Sequence, residues 1–206
     1  MIGTGDGACA SITERVPCVL DDLAAATRSR ARLGVLHDLE VAYIEKQPGY
    51  RPVSAFCRSA TLPAHPTALG RAMLAFCPAD TVDAVIARGL RPYTQHTITS
   101  PDRLRQALAV TRLTRVAVTR FELEPGACAV AMPVFGSGGG AVAAIELAVH
   151  DLRQELQPVV AALSVASRSL LCELSTPPQT VRAVRPPTAA PRSAPVQHRV
   201  RPTAHL

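Results

Sequence analysis

The residue types that could carry chemistry are few and scattered. Six cysteines (Cys9, Cys18, Cys57, Cys77, Cys128, Cys172) and six histidines stand far apart, with no CxxC pair. Zinc sites draw on closely spaced ligand pairs, and disulfide frameworks on dense cysteines in short secreted chains, so neither is expected. The cysteines read as reduced, individually buried thiols, with Cys57, Cys77 and Cys172 in the core. Two Gly-rich runs invite comparison with phosphate loops. Gly3 to Gly7 has no preceding strand, and Gly136 to Gly140 leads into strand residues, so neither offers the strand–turn–helix setting that anion binding needs. No GxSxG elbow or HExxH helix occurs, and no Ser/His/Asp grouping stands out. The chain is therefore not expected to be an enzyme, and no cofactor or metal is called for. What remains is binding. His65 sits between Pro63 and Pro66 ahead of a helix start, and Glu146 interrupts an apolar run.

Composition narrows the partners. The chain has 206 residues, 48% apolar and 18% charged, enough for one globular domain plus a tail. Trp is absent and aromatics are 3%, which argues against stacking platforms for single strands or sugars. The net charge of +6 suggests nucleic acid until it is divided by position. From Thr176 to Leu206 there are five Arg, no Lys and no acid, so the rest holds 17 bases against 16 acids. The body is nearly neutral. Twenty-one of the 22 bases are Arg, a bias that points to a GC-rich genome more than to phosphate contacts. No apolar run approaches the roughly 20 residues of a spanning helix, and no signal peptide is visible, so a cytoplasmic protein without membrane contact is expected.

These residues need elements to position them. Residues 1–12 lack periodicity and are expected to be unstructured. Residues 13–175 alternate helix and strand signals. Residues 176–206 carry seven Pro among scattered Arg, Thr and Ala, and are expected to form a disordered, solvated basic tail. Within the body, Ser11 and Glu14 have capping-box spacing, and Val16, Val19, Leu20 and Leu23 follow at helical intervals, predicting a helix over about 13–29. Strand-like runs at 32–36 and 40–45 read as a hairpin, and 53–57 as a third strand. Helices are expected over 67–76 and 79–88, the latter closed by Gly89 in a left-handed C-cap. Ser100-Pro101 opens another helix running to about Leu113. Runs 128–135 and 141–149 flank the flexible Gly136–Gly140 connection as a hairpin. A last helix spans about Asp151 to Leu174, with Pro158 either kinking it or marking its start. The order implies an α+β fold, an antiparallel sheet with helices on both faces. Glu146 alternates with Ile145 and Leu147, so it faces the opposite side from that apolar pair.

Several blocks together resemble a known family. LPAHPTALGRAMLAF (62–76) resembles the signature of IclR-family transcriptional regulators, whose effector domain carries a similar LPAHATALGKALLA segment. GL (89–90) with TITSP (97–101), VAVTRFELEPGACAVAMPV (116–134), and the runs RLGVL (32–36) and EVAYIE (40–45) resemble further family segments in register. The resemblance covers roughly residues 14–175. It implies a GAF-like effector domain, a curved antiparallel sheet with a small-molecule pocket on one face, in which 13–30 is the end of a linker helix. It also implies dimers or tetramers, and operator binding through an N-terminal winged helix-turn-helix. Only about 13 residues precede the first helix here, too few for that module, so DNA would be reached through an attached or partner domain.

Carried over residue by residue, the resemblance places ligand contacts at Ser54, His65, Thr67, Ala68, Leu69, Gly70, Thr119, Glu122, Ala129, Glu146 and Ala148. Amides at the start of the 67–76 helix would suit a carboxylate. The family's AVD aspartate falls on Thr119, its G..C cysteine on Ala129, and its Ser/Asn pair on Glu146 and Ala148. Glu146 in the pocket would favour a cationic or hydroxyl-bearing ligand, or require a neighbouring Arg. It reads equally as a solvated or internally paired carboxylate. His65 reads as a loop or capping hydrogen-bonding residue, and Gly126 as a turn conformation closed to other residues. The function that follows is an effector-binding and oligomerisation domain in transcriptional regulation. The alternatives are a small-molecule enzyme on the same pocket, or a stand-alone binding or dimerisation module without a DNA role.

Overall fold

The computed structural model describes residues 12–46, 61–136 and 138–171. Helix α1, Ile12–Thr27, buries Val16, Leu20, Leu23 and Ala24 on one stripe, the spacing of a core-facing helix. Cys18 falls off that stripe and is exposed, a correction to the expectation that all the thiols are buried. Chain direction reverses at Arg28, whose φ is +53°. Strands β1, Ala31–His37, and β2, Glu40–Lys46, then pair antiparallel as the expected hairpin. Asp38 and Leu39 both have positive φ (48° and 69°), the backbone of a tight primed turn matched to strand twist.

The expected strand over 53–57 lies outside the described residues. Strand β3, Thr61–Pro63, pairs with β2. Helix α2, Ala68–Leu74, is buried along its whole length. Helices α3, Ala79–Ala87, and α4, Pro101–Thr114, follow where the pattern placed them. Gly89 has a φ of +98°, as its C-cap assignment requires. Strand β4, Ala117–Arg120, pairs with β5, Cys128–Phe135, which pairs with β6, Ala141–Val149. Helix α5, Leu152–Leu171, starts ahead of Pro158 and continues through it, so the proline is not the helix start.

The six strands form one curled antiparallel sheet in the order β3-β2-β1-β6-β5-β4. Helices cover both faces, and the core is accordingly double. On one face α1 and α5 pack Leu20, Leu163 and Leu170 against Leu33, Ile145 and Leu147. On the other, α2 to α4 pack Leu69, Leu74, Leu104 and Leu108 against Val41, Ala117, Ala131 and Ala144. Ile145 and Leu147 belong to the first core, so Glu146 points into the second face, as the alternation predicts. Among the described residues no helix is long and apolar enough to cross a membrane.

Candidate functional site

The segment Leu62–Gly70 builds the site by folding tightly on itself. Thr67 caps α2, its hydroxyl accepting from the Gly70 N–H at 3.2 Å and donating back to the Pro63 carbonyl at 3.0 Å. A Cβ at Gly70 would lie 2.1 Å from the Ala64 carbonyl oxygen, so only glycine lets the helix press onto its own entry loop. Below this, the buried Arg71 guanidinium forms a two-pronged ion pair with Glu122 and donates from Nε to the His65 carbonyl at 2.8 Å. The pair ties α2 to the connection between β4 and β5. Thr94 and Thr97 hydroxyls reinforce that connection by donating to the Phe121 and Glu122 carbonyls at 2.6 and 2.5 Å. His65 itself is buried, with Nε2 donating to the Arg91 carbonyl at 3.1 Å and its ring beside Tyr93. Burial, more than any other influence, holds its pKa below the ordinary 6.5; Arg71 adds to the depression, while the Arg91 carbonyl and Glu122 oppose it.

Beside the start of α2 lies a cavity of about 590 Å³. Its floor is the second face of the sheet, where Thr119, Ala129 and Ala148 stand in one cross-strand row with Glu146 in the adjoining row. Its walls are the turn from α1 into β1, the loop entering α2, and Leu123 to Ala127 ahead of β5. Gly126 in that last segment has a φ of +76°, the turn conformation foreseen for it.

Glu146 is the central polar group. Its side chain is 4% exposed, with Oε1 paired to Arg32 and Oε2 accepting the Leu69 N–H at 3.3 Å. Arg32 stands directly opposite Glu146 in the β1–β6 register and also donates to the Tyr43 hydroxyl at 3.1 Å. The helix-start amide that would suit a ligand carboxylate is thus taken by a carboxylate of the chain itself. Of the two readings left open for Glu146, internal pairing is the arrangement found, and it coexists with a place in the cavity wall. Thr119 differs. It is 6% exposed, it lines the cavity, and among the described residues its hydroxyl has no hydrogen-bond partner.

The structure therefore brings together Thr67, Ala68, Thr119, Ala129, Glu146 and Ala148 around one cavity, with Leu69 touching it through Glu146. His65, Gly70 and Glu122 do not line it; each holds the α2 entry from behind. Ser54 lies outside the described residues. Sequence reasoning missed Arg28 to Arg30 and the Leu123–Ala127 wall, which sit in turns and loops without periodic signature, and Arg32, whose place at the site depends on β1 lying beside β6. A smaller hollow of about 340 Å³ between α4 and β4 contains none of the expected site residues. Among the described residues no cluster of His, Cys, Asp or Glu is arranged to hold a metal ion.

Comparison with known proteins places this architecture. Residues 9–173 match the family model for the bacterial transcriptional regulator IclR C-terminal domain. The chain belongs to the IclR family. It is 31% identical over 159 residues to the HTH-type transcriptional regulator XynR of Escherichia coli K12, an alignment covering 71% of this chain and 63% of XynR. The chain thus spans about half to two thirds of the length of the curated relatives it matches. Among solved structures, this IclR-family domain is similar to an IclR transcriptional regulator from Alicyclobacillus acidocaldarius, with a TM-score of 0.70 and 27% identity over 79% of this chain and 67% of that one. It shares the fold of an IclR homologue from Microbacterium hydrocarbonoxydans, complexed with 4-hydroxybenzoate, at a TM-score of 0.69 and 24% identity over 81% of this chain and 70% of that one.

Proposed function

We propose that this IclR-family domain binds a small-molecule effector in the cavity beside α2 and acts in transcriptional regulation rather than catalysis. One observation carries the reading: a cavity of about 590 Å³, within the range of small-molecule sites, lined by apolar floor residues and a few placed polar groups. The relative complexed with 4-hydroxybenzoate has the same fold and supports it. Ligand contacts are assigned to Thr67, Ala68, Thr119, Ala129, Glu146 and Ala148. Bound effector would shift the populations of subunit arrangements in a dimer or tetramer, in the cytoplasm. A winged helix-turn-helix, attached or on a partner chain, would read that shift on DNA.

The test is thermal denaturation against a metabolite library, for the wild type and for Ala129→Phe and Ala148→Phe, which fill the floor. A true effector at a hundredfold its Kd stabilises the wild type by about 2.7 kcal/mol. In floor variants with intact far-UV spectra that gain disappears. Equal stabilisation of the wild type and both variants overturns the cavity as the site.

A further inference from the structure

We infer that Glu146 makes this cavity selective for neutral hydroxylated ligands and against carboxylates, with Thr119 as the second ligand contact; the inference rests on the effector-cavity reading above. A ligand carboxylate needs fixed donors. The Leu69 N–H at the start of α2 is taken by the Glu146 carboxylate, and the Arg32 guanidinium gives one N–H to Glu146 and another to the Tyr43 hydroxyl, so its single charge is already balanced. An incoming carboxylate must either displace Glu146 from these donors or stand beside it as a second negative charge against the single charge of Arg32, and both are unfavourable in a buried site. Arg28 and Arg30 also border the cavity, but both are exposed, where solvent weakens ion pairs. A cationic ligand gains little more. The Glu146 charge is balanced by Arg32, and the lining as a whole sets two acids, Glu124 and Glu146, against Arg28, Arg30 and Arg32, so it offers a cation no net negative charge.

Hydrogen-bond capacity is what the site still offers. A carboxylate oxygen accepts more than one hydrogen bond, so Glu146 can take a ligand hydroxyl while keeping Arg32 and Leu69. Thr119 is a buried residue that lines the cavity, and its hydroxyl, without a partner among the described residues, can donate to or accept from a second ligand oxygen. Thr119 lies two strands across and one same-face position along from Glu146, roughly 10–12 Å between Cα atoms. The methyl groups of Ala129 and Ala148 floor the gap. That span fits a hydroxylated molecule the size of a single ring or short polyol.

The experiment is calorimetric titration of the intact chain with matched pairs that exchange CH2OH for a carboxylate: glycerol and glycerate, and 4-hydroxybenzyl alcohol and 4-hydroxybenzoate. The amine 4-hydroxybenzylamine is included as the cation. The wild type is expected to bind an alcohol at least tenfold tighter than its carboxylate partner, and no weaker than the amine. Glu146→Gln frees the Arg32 charge and should narrow or invert that preference. Thr119→Val, which keeps shape and removes the hydroxyl, should weaken the alcohol about tenfold and leave the ratio to the carboxylate acting through Glu146. It also serves if Glu146→Gln does not fold. Wild-type binding of a carboxylate as tightly as its alcohol, or of the amine more than tenfold tighter, overturns the selectivity while leaving the cavity reading intact. Binding of any pair member that persists in Ala129→Phe and Ala148→Phe overturns the cavity reading itself. Silence of every compound, with a silent metabolite library, overturns both.

Discussion

At the scale of single residues, the α2 entry loop is held by groups that do not touch the cavity. Arg71 and Glu122 form a buried ion pair, and removing one partner of such a pair costs about 3–5 kcal/mol because the other is left charged in a dry site. Its role is positional: it joins α2 to the loop that walls the cavity. His65, one turn away, stays neutral because its imidazole is buried between the Arg91 carbonyl, Tyr93 and the Arg71–Glu122 pair. The folded pKa lies below the ordinary 6.5, and the unfolded chain therefore binds the proton first as pH falls. Stability from this group is complete above about pH 6.5 and is lost progressively below it, with a slope of at most about 1.4 kcal/mol per pH unit. Urea midpoints measured between about pH 7 and about pH 5 should fall more steeply for the wild type than for His65→Gln. Parallel curves would mean that the histidine is not kept neutral by the fold.

At the scale of elements, segments of seven residues or more were legible and the shortest strands were not. In α5 the spacing of Leu163, Ala166 and Leu170 gives the face that meets the sheet, and all three are buried. Leu163→Ala should cost about 2–5 kcal/mol in a denaturant titration, whereas Val165→Ala, on the outer face at 62% exposure, should stay within about 0.5 kcal/mol. Similar losses for both would misplace the stripe. The β5–β6 hairpin was legible for the same reason, since both strands are long enough to show their pattern. Strands β3 and β4 carry three and four residues, too few for alternation to rise above chance, and neither was anticipated. Cys18 could have been assigned to the outer face, because it falls between the Val16 and Leu20 positions of α1. The Arg32–Glu146 pair could not. Glu146 was singled out as an acid in an apolar strand, but its partner follows from β1 lying beside β6, and register between strands so distant in sequence has no local signal. The floor of the cavity and the wall at the α2 entry were thus visible as candidate residues, and the walls made by the α1–β1 turn and by Leu123 to Ala127 were not.

At the scale of the molecule, one sheet separates two cores, and the cavity on the α2 face reaches the end of the helix that packs on the other. The turn carrying Arg28, Ser29 and Arg30 leads from α1 into β1 and forms part of the cavity wall. Arg32, two residues on, holds Glu146. An effector seated between Glu146 and Thr119 would restrain this turn through Arg32 and by direct contact, and so bias how α1 leaves the sheet. A ligand can move such an equilibrium only by binding one arrangement better than the other, and the turn is where the two arrangements would differ. Amide hydrogen exchange tests this. Saturation with a hit from the matched pairs should slow exchange at least several-fold across residues 28–32, where Arg28 and Arg30 are exposed at the cavity wall. Exchange in the centre of α5, packed on the opposite face around Leu163, should slow less, by what stabilisation of the whole fold contributes. Equal slowing in both places would signify global stabilisation by mass action, with no preferential coupling between the cavity and α1.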